Sequence, residues 1–146
     1  MGQYIIKNKA SYGHYGAFLH SINKGKVGEL AVRKALLKAG YNTYLPECDT
    51  AQVDLIVETA NGHMKRVQIK SVSRANKRTA IEVNTTKYKD SGRVDVIAVY
   101  YAPKDIIAYV PYENTHAITL AMSTGKNNQR HNRKWFYSYE RFPEFK

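Results

Sequence analysis

The stretch that decides the fold runs Val53-Asp54-Leu55-Ile56-Val57-Glu58-Thr59-Ala60-Asn61-Gly62-His63-Met64-Lys65-Arg66-Val67-Gln68-Ile69-Lys70-Ser71. Two runs rich in Val, Ile and Leu flank Asn61-Gly62, the dipeptide best suited to a tight hairpin turn. The reading is a hairpin of strands 52–59 and 63–73. Its chemistry lies in the polar residues that interrupt it. Asp54 stands in an otherwise apolar strand, where a buried carboxylate is costly without partners. Strand residues two apart share a face, so Gln68 and Lys70 project together and can meet Asp54 on the neighbouring strand.

Upstream of the hairpin, residues 24–39 predict a helix. Val27, Leu30, Ala31 and Ala35 recur at helical spacing, Asn23 is a candidate cap, and Gly40 is a natural stop. Residues 1–22 read as an N-terminal arm. A strand is expected at 41–45, and more follow downstream at 79–84, 94–102 and 106–110, with Pro103-Lys104-Asp105 as a turn. Residues 112–122 suit either a helix or a strand. The segment 125–146 is basic and then aromatic, its aromatic residues serving packing of the C-terminal segment or a subunit contact rather than base stacking. One domain over 1–146 is expected, of the α/β (α+β) class, with a mixed central sheet flanked by helices.

Composition narrows the function. The 146 residues hold 23 Lys and Arg against 12 Asp and Glu, a formal net charge of +11 that attracts polyanions, of which nucleic acid is the commonest. Hydrophobic residues at 43% are too many for a disordered basic tail. The longest apolar run, Val96 to Ala102, falls far short of the ~20 residues that span a bilayer, and the start lacks the apolar core of a signal peptide. A single cysteine, Cys48, excludes an internal disulfide and suits a reducing cytoplasm, with the nucleoid as the expected place if the polyanion bound is DNA. Gly25-Lys26-Val27-Gly28 is neither a P-loop nor set among the strands of an RNA-binding clamp. The histidines and Cys48 show no pair at zinc spacing.

The acids and amides of the hairpin suit phosphodiester hydrolysis. Carboxylate and amide oxygens at Asp54 and Gln68 favour a hard cation such as Mg²⁺, which activates water and neutralises charge on phosphate. Lys70 can orient or deprotonate that water. Glu29, one turn into the expected helix, adds a second carboxylate if the helix packs beside the hairpin. Plainer roles stand beside these: an ion pair of Asp54 with Lys70, and one of Glu29 with Arg33.

At these residues the chain resembles the PD-(D/E)-XK nuclease superfamily, which carries an acid on one strand and acid-x-Lys on the next, often with an upstream helix glutamate. The matching positions are Asp54, Gln68-Ile69-Lys70, and Glu29 in Gly28-Glu29-Leu30-Ala31. Within it the chain looks most like the endonucleases encoded in group I introns, in which Gln at the second acid position and a stretch like Lys126-Asn127-Asn128-Gln129 are familiar. The resemblance implies a restriction-endonuclease-like core and a site of Glu29, Asp54, Gln68 and Lys70. It further implies metal ligands Glu29, Asp54, Gln68 and the Ile69 carbonyl, with Mg²⁺ as cofactor and Mn²⁺ as substitute. The implied activity is hydrolysis of double-stranded DNA, leaving 5′-phosphate and 3′-hydroxyl ends. A cut in both strands needs two sites, hence a homodimer or homotetramer. Candidates for DNA contact are Lys26, Arg74, Lys77, Arg78, Lys126, Asn127, Asn128, Gln129, Arg130, Arg133 and Lys134. The rival readings are a structure-selective Holliday junction resolvase and a DNA-binding protein of this fold that no longer cuts.

Overall fold

The computed structural model describes residues 13–48, 52–75, 78–124 and 133–146. Its elements run α1 (Gly13–Lys38), β1 (Asn42–Tyr44), β2 (Leu55–Glu58), β3 (Met64–Val72), β4 (Ala80–Asn84), β5 (Val96–Tyr101), β6 (Ile106–Pro111) and β7 (Ala117–Ala121). Short 3-10 turns lie at Thr86–Tyr88, Ala102–Lys104 and Phe136–Tyr139. The expected hairpin forms from β2 and β3, with Leu55 opposite Val67 and Glu58 opposite Met64. Its turn closes through Thr59 N–H to the His63 carbonyl and Gly62 N–H to the Thr59 carbonyl, both at 2.9 Å.

The main sheet has the order β1-β2-β3-β5-β6. β3 and β5 are parallel, and the other neighbours are antiparallel. Between β3 and β5 the chain leaves the sheet as β4, which pairs with β7 in a separate two-stranded ribbon. The ambiguous 112–122 region thus contains a strand. The sheet is the expected mixed one, with α1 over one face and the β4–β7 ribbon over the other.

Two apolar clusters fill these layers. On the α1 side, Val32 and Leu36 meet Leu55, Val57, Val67, Ile69, Val96, Ala98, Tyr100, Tyr109 and Phe142. On the ribbon side, Ile81, Val83, Ile118 and Leu120 meet Ile97, Val99, Tyr101, Ala108, Val110, Tyr88 and Phe136. All six residues of β5 are buried, alternate ones serving opposite clusters, so this strand is a wall common to both. Phe136 and Phe142 bear out the expectation that the C-terminal aromatic residues pack. Phe142 lies against Tyr41 and Tyr109 with ring centroids 5.4 and 5.6 Å apart.

Three expectations about the helix are corrected. It starts at Gly13, so residues 13–22 are helical and Asn23 lies within the helix and does not cap it. Its buried stripe is Gly28, Val32 and Leu36, whereas Val27 and Leu30 are about half exposed. The stripe is displaced because Gly28 is the point of closest approach. A Cβ there would collide with Ser71 Oγ on β3 and lie 3.4 Å from Tyr100 Cδ1. The helix does end where expected. Gly40, at φ +90°, donates to the Leu37 carbonyl while Tyr41 N–H returns to Leu36, a left-handed cap that glycine adopts freely. No helix among the described residues is long and apolar enough to cross a membrane.

Candidate functional site

The site forms where β2 parts from β3. The Asp54 N–H still bonds to the Val67 carbonyl at 2.9 Å, but the regular β2 ladder begins only at Leu55. Asp54 turns its carboxylate across the gap: Oδ2 accepts from Ile69 N–H at 2.7 Å and from Gln68 Nε2 at 2.6 Å. These donors meet the cost of placing a carboxylate beside the apolar strand. The expected grouping of Asp54 with Gln68 is therefore present.

Gln68 Nε2 also lies 3.4 Å from the Ile69 carbonyl, while Gln68 Oε1 is buried and has no hydrogen-bond partner. A buried amide oxygen without a donor is rare and costly. It is a hard oxygen ligand, but Gln68 presents Nε2 to Asp54, so one divalent cation would engage both oxygens only once the amide is turned over. Among the described residues no group of three or more His, Cys, Asp or Glu gathers to hold a metal. Asp54 and Gln68 offer oxygen ligands, the kind that a hard cation such as Mg²⁺ takes. Asp54 and Gln68 Oε1 would hold such an ion.

Glu29 reaches the same place from α1. With Asp54, Lys26, Gly25, Leu45 and Val53 it lines an open cleft of about 460 Å³. It pairs with Lys26 at 2.6 Å, one turn earlier, rather than with Arg33. The hydrogen bond from Lys26 to Glu29, together with the attraction of that charge, raises the Lys26 pKa above its ordinary value, and the Asp54 charge adds to the rise. Lys26, an expected DNA contact, is therefore also the counter-ion of Glu29.

Lys70 lies on the same face of β3 as Gln68, but its ammonium sits over the Tyr88 ring, 5.0 Å from the centroid. Among the described residues Lys70 has no ion pair. Arg66, two positions before Gln68, is committed elsewhere. Its Nε and Nη2 meet both Asp95 oxygens at 3.0 and 3.1 Å, and its backbone N–H bonds to the same carboxylate at 2.7 Å. Burial favours the neutral form of Asp95, but the hydrogen bonds from Arg66 outweigh it and hold the pKa below the usual aspartate value.

Of the expected DNA contacts, Arg74 and Arg78 are exposed on the connection that leaves β3. Arg133 bonds to the Ser123 carbonyl and Thr79 Oγ1 and lies 5.4 Å from the Trp135 ring centroid. Lys134 pairs with Glu113 at 2.9 Å. Lys77, Lys126, Asn127, Asn128, Gln129 and Arg130 lie outside the described residues.

The sequence reading missed Tyr88 and Gln52. Gln52, two residues before Asp54, has φ +94°, a strained backbone for a side-chain-bearing residue. Its Nε2 donates to the Lys87 carbonyl at 3.5 Å, and its Oε1 is buried without a partner. Strain beside a carboxylate marks functional sites, but the residue alphabet does not reveal it.

Known proteins share this fold. A model of the family described as PD-(D/E)XK endonuclease matches residues 19–142. The structure of a bacterial homing endonuclease, I-Ssp6803I, superposes with a TM-score of 0.57 at 21% identity, covering 80% of this chain and 83% of that one. No curated protein matches the chain significantly.

Proposed function

Because the chain belongs to the PD-(D/E)XK endonuclease family, a nuclease family whose substrate is DNA, we propose that it is a Mg²⁺-dependent, site-specific endonuclease of the intron-homing kind. Mn²⁺ serves as the substitute ion, and the working unit is a homodimer or homotetramer on double-stranded DNA. The observation that carries this reading is the Asp54 carboxylate, fixed by Ile69 N–H and Gln68 Nε2 at the opening of the hairpin and sharing a cleft with Glu29. The likeness in fold to a bacterial homing endonuclease supports the homing assignment. The exposed apolar residues Val27, Leu30 and Leu37 of α1 offer a face for a second copy.

In this reading Asp54 and the Gln68 amide oxygen hold the metal, with the Ile69 carbonyl as a further ligand and Glu29 steadying the metal's waters. An ion held there would lower the pKa of a water and offset charge on the phosphate. Lys70 orients the attacking water and draws the scissile phosphate into line. Arg74 and Arg78, on the segment that leaves β3, hold the neighbouring phosphates with Lys77 and the 126–134 segment.

The test uses plasmids with and without a candidate intron insertion site, incubated with protein and Mg²⁺ and scored for linearisation. Expected is cutting of the site-bearing plasmid alone, abolished by EDTA and reduced at least ~1,000-fold by Asp54→Ala with DNA binding retained. Equal cutting of both plasmids removes site specificity. Preference for a four-way junction of any sequence replaces homing with junction resolution, and undiminished cutting by Asp54→Ala refutes the site.

A further inference from the structure

We propose that Tyr88 is the positioning residue for Lys70: its ring holds the ammonium in one place without neutralising it. The proposal rests on the assignment of Lys70 to hydrolysis, and it identifies what makes that lysine usable. A lysine side chain has four flexible bonds, and left to itself its charge samples a wide volume. A carboxylate partner would fix it but would also compete with the phosphate for the charge. Among the described residues Lys70 forms no ion pair. Its Nζ lies instead 5.0 Å from the Tyr88 ring centroid, within the range where an aromatic face attracts a cation. The ring orients the ammonium and leaves its N–H donors for a phosphate oxygen or water.

Tyr88 is suited to this because it cannot move. It is 3% exposed within the ribbon-side cluster. It ends the 3-10 turn Thr86–Tyr88, its N–H bonded to the Thr85 carbonyl at 2.9 Å and its own carbonyl accepting from Ser91 N–H at 3.1 Å. Thr85 is fully buried and donates from Oγ1 to the Thr115 carbonyl at 2.5 Å. The turn is also tied to the metal-binding side, since Gln52, two residues before Asp54, donates to the carbonyl of Lys87. That contact is 3.5 Å long, and it sets the Tyr88 turn beside the segment that carries Asp54.

The test replaces Tyr88 in the full-length protein with phenylalanine and then with mono-, di- and trifluorophenylalanine. This series keeps the ring's shape while withdrawing electron density from its face. Single-turnover cleavage, DNA affinity and melting temperature are measured for each, with Lys70→Ala in parallel. Tyr88→Phe should cut within about twofold of the parent. Each added fluorine should slow cleavage, by about tenfold in total, with affinity and melting temperature unchanged. A flat rate across the series, while Lys70→Ala is inactive, overturns the role of Tyr88 and leaves Lys70 standing. A rate that falls only in step with melting temperature overturns it as well. If Lys70→Ala cuts like the parent, the reading of Lys70 fails and that of Tyr88 with it.

Discussion

Gly28 shows how one missing methyl group places a functional side chain. Because it carries no Cβ, α1 seats against Ser71 and Tyr100, and the next residue, Glu29, reaches the cleft of Asp54. Gly28→Ala should lower stability by about 1–3 kcal/mol and weaken cleavage. Adding Ser71→Ala removes the colliding hydroxyl and should recover part of both, read by chemical denaturation and plasmid cutting. Asp54 was legible as a candidate because a carboxylate in an apolar strand demands partners, and Gln68 because residues two apart share a strand face. Tyr88 was not legible. Its pairing with Lys70 is made by a turn distant in sequence, and such a contact leaves no periodicity behind.

At the scale of elements, the hairpin could be read because turn chemistry and β-branched runs are local signals. The start of α1 could not, since residues before Lys24 show no clean apolar period. The buried face of α1 was misread because the chain uses a glycine, which hydrophobic patterning ignores, as its central contact. The parallel pairing of β3 with β5 was equally hidden. It is anchored by Arg66 and Asp95, where Asp95 N–H also bonds the Arg66 carbonyl at 2.9 Å immediately before β5 begins. Asp95 has its pKa lowered in the folded chain, so its ionised form adds stability above the ordinary aspartate pKa, roughly 4. That stability is lost as pH falls through the lowered value. Asp95→Asn should therefore flatten the decline of stability between about pH 5 and pH 2, and lower stability at pH 7 by about 1–2 kcal/mol, seen in urea unfolding at each pH.

For the whole molecule, parts of the +11 charge have structural duties. Arg66 serves the sheet, Lys26 balances Glu29, and Lys134 pairs with Glu113, while Arg74 and Arg78 are exposed on the connection that leaves β3. If these last two grip phosphates, replacing both with alanine should reduce the slope of log affinity against log salt by about 2, measured by fluorescence anisotropy on duplex DNA. The same layered architecture has a consequence for motion. β5 belongs to both apolar clusters at once, so neither the helical layer nor the ribbon can peel away without uncovering one of its faces. Opening either side leaves the strand's hydrogen bonds to β3 and β6 intact. The amide protons of Ile97 to Tyr100 should therefore exchange with deuterium last, and only through global unfolding, whereas those of β1 and β7 exchange through smaller local openings. The nuclease would then have a rigid spine, with local motion confined to the strands at its margins.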